Sequence, residues 1–552
     1  MNAFLASIGY QRWILPVLLL IPLAGAAVIW FQGARAPRAE GDEVVNGTAS
    51  SPRGIALLTF AIEFVVSIGL WWSFDPVNPA WQSVVDTPWI PSWGVRFTLG
   101  VDGIAVMMIL LTTFIMLLSV GGSWTSIRAR THSYYALLLV LTTGMLGVFM
   151  ALDLFLFYVM WEVMLVPMYF IVGIWGGDRR IYASIKFFLY TMVGSMLMLA
   201  AIVYLGYSAR NPMTGGPVFS YDYVLRNAAL TSTAAKWLFG GFFLAFAVKV
   251  PMFPFHTWLP DAHVEAPTAG SVVLASIMLK LGTFGFLRLA VPLFPSAAMS
   301  PTIRSIILGL AVIGIVYGAL VSLVQPDFKK LVAYSSVSHL GFVMLGIFAL
   351  TVQSVQGALM VMINHGISTG ALFFLIGMIY ERRHTRLIES YGGIARVVPL
   401  FAAMLTIVTF SSIGVPGTNG FVGEFLVLIG AFRTQPVLSL IATTAVIISA
   451  AYLLWAIQRI LFNPLDKAEN EHIPDLNRRE LAIMIPLVAA IVWLGVYPAP
   501  VLRRMQSAAE RFVTYVDARR DVRLPDVADG RGDRISPRGI PSEGAQRRSE
   551  EH

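Results

Sequence analysis

Apolar residues run along this chain in blocks of about 20, the length a helix needs to cross a bilayer core, and short polar segments separate the blocks. Fourteen are legible: 14–31, 54–74, 101–120, 134–151, 154–175, 182–207, 237–259, 266–290, 302–324, 330–350, 354–380, 397–430, 436–461 and 480–498. They predict an all-α polytopic membrane protein of about 14 transmembrane helices. Two blocks are interrupted. The seventh contains Lys249-Val250-Pro251-Met252-Phe253-Pro254, and each proline removes a backbone donor and crowds the carbonyl four residues earlier. The twelfth contains Gly414-Val415-Pro416-Gly417-Thr418-Asn419-Gly420, which few continuous helices tolerate. Backbone broken at membrane depth persists only where protein or water satisfies the freed groups.

The two breaks lie five helices apart, and an odd offset reverses orientation. Helices 4–8 and 9–13 are therefore predicted to be inverted five-helix repeats, with helices 7 and 12 broken. Two unrelated proline kinks are the alternative. The resulting division is 1–133 for three N-terminal helices and a loop, 134–290 and 302–462 for the repeats, 463–516 for helix 14 and its flank, and 517–552 for a charged tail.

Segment 75–100 carries Pro76, Pro79, Trp81, Pro88, Trp89, Pro91 and Trp93 and reads as an ordered interfacial loop. Residues 517–552 mix charge with Pro and Gly without apolar periodicity, which predicts disorder. The first 30 residues lack a small-residue cleavage site after a short apolar core and read as a retained span. Loops after odd-numbered helices hold sixteen Lys and Arg, those after even-numbered helices six. The positive-inside rule then places the odd loops in the cytoplasm and both termini outside.

Composition narrows the class. The chain of 552 residues is 57% hydrophobic and 13% charged, against about 25% charged in a soluble domain, so a soluble enzyme is excluded. With no cysteine there is no disulfide, thiolate-held cluster or catalytic thiol. A net charge of +8 would suit nucleic acid, but the cations flank the spans and fill the tail, as topology signals do; no nucleic-acid partner is predicted. No phosphate-binding loop and no serine-triad context occurs.

Ionisable groups inside spans cost about 2.5 to 3.5 kcal/mol each on insertion scales, so each is a functional candidate. Six stand out: Glu162, Lys249, Lys280, His339, His365 and Glu424. Glu162 lies in an apolar run from Phe157 to Leu165 and needs a cation or a proton. Lys249, directly before the first break, is the best cationic candidate. A carboxylate about 4 Å away stabilises a lysine by roughly 4 kcal/mol at an effective dielectric of about 20, enough to decide whether it holds its proton. Such a pair acts as a switch, or else as a static bridge between helices. Lys280 has no acid near it in sequence. His339 and His365 are flanked by Ser335, Ser336 and Ser338, and by Asn364 and Ser368, groups able to hold water chains; histidine titrates near neutral pH, and hydrogen-bonded packing is the alternative. Glu424 follows the second break, in the place analogous to Lys249. His256, Asp261, His263 and Glu265 cluster at a predicted helix end, where loop capping or proton uptake fits better than metal binding. Glu63 and Asp102 lie outside the repeats and suit structural or interfacial roles.

Three runs carry a resemblance: Trp161 to Tyr169, His256 to Ser271, and Tyr334-Ser335-Ser336-Val337-Ser338-His339-Leu340-Gly341. They closely resemble the antiporter-like subunits of respiratory complex I, the proton-pumping NADH:quinone oxidoreductase, and the similarity spans about residues 95–500. Met164-Leu165-Val166-Pro167-Met168 and the glutamate at 424 resemble the M type, since L- and N-type relatives usually carry lysine at that last position, and the long lateral helix of the L type is missing. The resemblance implies a translocase subunit without redox chemistry of its own, moving protons from cytoplasm to outside, driven by quinone reduction in other subunits. It also implies roles: Glu162 and Lys249 as a modulating pair, Lys280 and His339 as the central relay, His365 as a bridge, and Glu424 as the exit-side acid. No cofactor is implied in this chain; flavin and iron–sulfur clusters belong to partner subunits. The implied partners are L- and N-type membrane subunits on either side, in a bacterial-type inner membrane. A subunit of a multi-subunit sodium/proton antiporter and a membrane subunit of an energy-converting hydrogenase resemble the same family. A scaffold without transport is disfavoured by six intramembrane ionisable groups.

Overall fold

The computed structural model describes residues 1–35, 52–522 and 524. The rest of the 32–53 loop and the charged tail from 525 onward lie outside the described residues.

Helices follow the apolar blocks. Among the described residues twelve are long and apolar enough to cross a membrane. The other two predicted elements are the interrupted ones. One resolves into Ser232–Lys249, a turn, and Trp258–Glu265; the other into Pro399–Ile413 and Asn419–Phe432.

Each break satisfies its own backbone. Pro251 cannot donate to Ala247, and the amide of Met252 bonds the Ala247 carbonyl instead, at 2.8 Å. That frees the Val248 carbonyl, which accepts from the indole Nε1 of the fully buried Trp258 at 2.9 Å. At the second break Gly414 and Gly417 adopt φ of 84° and 91°, the left-handed region that glycine enters without steric cost. The chain then turns so tightly that a Cβ on Gly420 would lie 1.9 Å from the Ser411 carbonyl oxygen.

Three helices form the centre. Over their most apolar stretch Thr268–Leu293 and Val352–Arg383 are wholly enclosed and Phe328–Ala349 is 94% enclosed, whereas Pro436–Phe462 and Arg478–Val496 are 33% enclosed. Val352–Arg383 packs on Phe328–Ala349, on Asn419–Phe432 and on the start of Thr268–Leu293. A helix enclosed on all sides must pair its polar groups with protein or trapped water, so the centre is where polar side chains meet one another.

Two elements depart from the expectation. Segment 75–100 is not a plain loop: Gln82–Ile90 and Val95–Val101 form an antiparallel hairpin turned at Pro91–Trp93 and Gly94. Its β-branched and aromatic residues, among them Val84, Val85, Thr87, Val95 and Phe97, favour a strand, and the surrounding prolines hide that pattern. Trp89 and Trp93 remain exposed on it. The second departure is a helix, Ala499–Asp517, that buries Val501, Met505, Ala508, Ala509, Phe512 and Val516 on one face. Its other face is polar, so no apolar block announces it. It lies against Gly103–Ser123, where a Cβ on Gly103 would fall 1.8 Å from the Arg504 carbonyl.

Candidate functional site

Four of the six predicted residues come together in the enclosed centre. Lys280 follows a π-helical turn, Leu274–Met278, a rare widening that concentrates at functional sites. Its Nζ reaches back to the Ala275 carbonyl and across to His365 Nδ1 at 2.6 Å. An ammonium only donates, so beside a protonated Lys280 the imidazole of His365 accepts at Nδ1 and carries its own proton on Nε2. That Nε2 is buried with no protein partner. The His339 ring follows, with centroids 5.7 Å apart, and His339 Nδ1 bonds Glu424 Oε1 at 2.6 Å. A carboxylate only accepts, so Nδ1 of His339 donates. The order in space is Lys280, His365, His339, Glu424, all buried.

The remaining two stand apart. Pro167 crowds the Val163 carbonyl, and the helix divides there into Leu154–Val163 and Leu165–Trp175, one residue after Glu162. Glu162 is half-buried and its Oε1 has no hydrogen-bond partner. Lys249 is buried with its Nζ 5.4 Å from the ring centroids of Trp161 and Phe187. Among the described residues the two make no ion pair within 4.0 Å. The structure does not bring the two expected partners into contact; the cation rests on aromatic faces.

The sequence singled out Asn364 and Ser368 beside His365, but not the polar cluster they form with Ser411 and Asn419. Asn364 Nδ2 donates to the Asn419 carbonyl, Ser411 and Ser368 both donate to Asn419 Oδ1, and the two serine hydroxyls lie 2.6 Å apart. Asn364 Oδ1, Asn419 Nδ2 and the Tyr452 hydroxyl are buried without protein partners. The available signal was an amide within a helix break and another beside a histidine.

The other groups disperse. Asp261 pairs with Lys186 at 2.7 Å, Glu265 Oε2 accepts from the Arg179 amide, and His263 stacks on Phe373 at 4.7 Å with neither ring nitrogen bonded. Glu63 is fully enclosed and both its oxygens are unpartnered. Asp102 caps Gly103–Ser123 through the Ala105 amide and accepts two bonds from Arg288, at 2.9 and 2.8 Å, and one from Arg511 at 3.0 Å. Burial would raise its pKa, but the charge and hydrogen bonds of Arg288, with Arg511, hold it below the usual carboxylate value.

The family described as NADH:quinone oxidoreductase/Mrp antiporter, transmembrane, matches residues 151–449. The chain is similar to NADH-quinone oxidoreductase subunit M of Rhodobacter capsulatus, 45% identical over 492 residues, which cover 88% of this chain and 93% of that one. It is also similar to a chain of respiratory complex I from Thermus thermophilus, with a TM-score of 0.80 and 31% identity, covering 91% of this chain and 99% of that one. A chain of the Mrp complex from a Dietzia species shares the fold, with a TM-score of 0.73 and 20% identity over 91% of this chain and 55% of that one.

Proposed function

The chain belongs to the NADH:quinone oxidoreductase/Mrp antiporter membrane family, and from that premise we propose that it carries protons across the membrane as the M-type subunit of a complex I. It is an antiporter-like membrane subunit of an oxidoreductase complex. Redox chemistry takes place in partner subunits; this chain moves protons from the cytoplasm to the outside when quinone is reduced there. Its neighbours in the assembly are the L- and N-type membrane subunits.

The observation that carries this reading is the buried run Lys280–His365–His339–Glu424, with its 2.6 Å contacts at both ends. A protonated Lys280 passes its proton to His365 Nδ1, and His365 releases the one on Nε2. The 5.7 Å between ring centroids is crossed by a ring rotation or a single bridging water. His339 then protonates Glu424, which stands beside the second break and releases the proton on the outer side. Glu162 and Lys249 set the timing. With the pair closed the lysine holds its proton; with the pair open, as here, the cation loses the stabilisation that a carboxylate about 4 Å away supplies. The two broken helices support the two-repeat reading, each break marking one proton half-path.

The test uses the assembled complex in membrane vesicles. Lys280→Met should leave NADH dehydrogenation by the peripheral partners intact and reduce coupled proton pumping by at least about 30-fold, roughly 2 kcal/mol of barrier. Normal pumping would end the relay assignment. The shared fold of the Mrp chain keeps an antiporter reading in view: turnover that requires sodium, in a complex without redox partners, would favour it.

A further inference from the structure

Lys329 is the second residue of Phe328–Ala349, the helix that carries His339. A cation is unfavourable at the N-terminus of its own helix, and this one is buried. Among the described residues no carboxylate lies within ion-pair distance of it. Its Nζ donates instead to the carbonyls of Ala266, at 2.7 Å, and Val264, at 3.3 Å. Those carbonyls close the C-terminal end of Trp258–Glu265, where a cation is favourable. A second cation converges there: Arg386 donates to the Val264 carbonyl at 2.7 Å and pairs with Asp327, the N-cap of Phe328–Ala349, at 3.3 Å. Arg386 lies just beyond Val352–Arg383, the helix that carries His365.

Trp258–Glu265 is the lower half of the helix broken after Lys249. Its upper end follows the Pro251–Pro254 break; its lower end is bonded through Lys329 to the helix that holds His339 and through Arg386 to the segment just beyond the helix that holds His365. We propose that Lys329 is a positioning residue for proton transfer, tying the half-helix beneath Lys249 to the helix that bears His339. A shift of the half-helix at the Lys249 break is thereby passed to the relay as a displacement of Phe328–Ala349, and not absorbed by a slack loop. Arg386 shares the work through Val264. This inference rests on the relay reading above.

The test compares Lys329→Met, Lys329→Arg and Lys280→Met in the assembled complex in membrane vesicles, reading protons pumped per NADH oxidised against the amount assembled. An arginine fork can donate to both carbonyls at once, so Lys329→Arg should keep the ratio. Lys329→Met keeps the length and loses the donors; its ratio should fall about threefold to tenfold, within the range that coupling mutations span. Should Lys329→Met fail to assemble, Arg386→Gln, which removes the more exposed donor to Val264, should lower the ratio in the same direction. An unaltered ratio in every assembled variant at 329 and 386 overturns the tie, provided Lys280→Met has lost pumping. Normal pumping by Lys280→Met overturns the relay reading itself.

Discussion

After Lys249 the helix is broken by Pro251 and Pro254, and the freed carbonyls of Ala247 and Val248 are taken by the Met252 amide and the Trp258 indole. Before Glu424 it is broken at Gly414 and Gly417; the Gly414 and Val415 amides take the Ser411 and Phe410 carbonyls, and Asn419, Ser411, Ser368 and Asn364 bond one another beside the break. The first break is apolar to its edge, and its lysine rests on the rings of Trp161 and Phe187. The second is polar, and its acid is bonded to His339 at 2.6 Å. A cation over a ring is held by about 0.5 to 2 kcal/mol, whereas a short charge-assisted hydrogen bond is roughly twice as strong as a neutral one. Under the proposed function the first break is thus suited to gaining and losing a partner, the second to handing a proton along a fixed contact.

Substitutions at four positions test the difference between the two breaks. The largest effect on function is expected from Lys249→Met, which removes the cation at the first break: proton pumping should fall at least about 30-fold with assembly unchanged, measured as ΔpH formation in vesicles. Unimpaired pumping would make that lysine a packing residue and erase the contrast. The largest effect on stability belongs to Gly420→Ala, whose Cβ would meet the Ser411 carbonyl at 1.9 Å. It should lower stability by about 3 kcal/mol, the upper end of overpacking costs, seen as an earlier thermal transition of the detergent-solubilised complex. Trp258→Phe leaves the Val248 carbonyl unbonded and should cost about 2 kcal/mol; an unshifted transition would mean that the first break does not depend on its indole. The smallest effect belongs to Ser368→Ala, since Ser411 still serves Asn419 Oδ1. About 1 kcal/mol or less is expected, and a loss matching that of Trp258→Phe would show that the polar break is no better shared than the apolar one.

Much of this architecture was legible because lipid imposes strong rules. Apolar blocks located the helices, Pro251 and Gly417 located the breaks, and the cost of burying charge singled out Lys280, His339, His365 and Glu424, which do meet. What escaped depends on two-sided patterns or on distance. Ala499–Asp517 has a polar face that dilutes its apolar one, and the strands about Val85 and Phe97 are interrupted by prolines. Asn419 looked like a turn residue until Ser368, from a helix 51 residues earlier, was placed beside it. The separation of Glu162 and Lys249 could not be read from spacing, because whether two side chains on neighbouring helices touch is set by rotamers and by the aromatic rings beside them.

The cap on Gly103–Ser123 also has a history in time. Asp102 leaves the ribosome 186 residues before Arg288 and 409 before Arg511. At about 5 to 20 residues per second the last of these arrives some 20 to 80 seconds after the carboxylate. Arg288 is thus available to grip Asp102, third span to eighth, well before Arg511 exists. Only when Ala499–Asp517 emerges does Arg511 close over Asp102, with the Trp81 ring centroid 4.6 Å from its guanidinium. A nascent or truncated product ending before residue 511 therefore lacks the fastener that joins Ala499–Asp517 to Asp102.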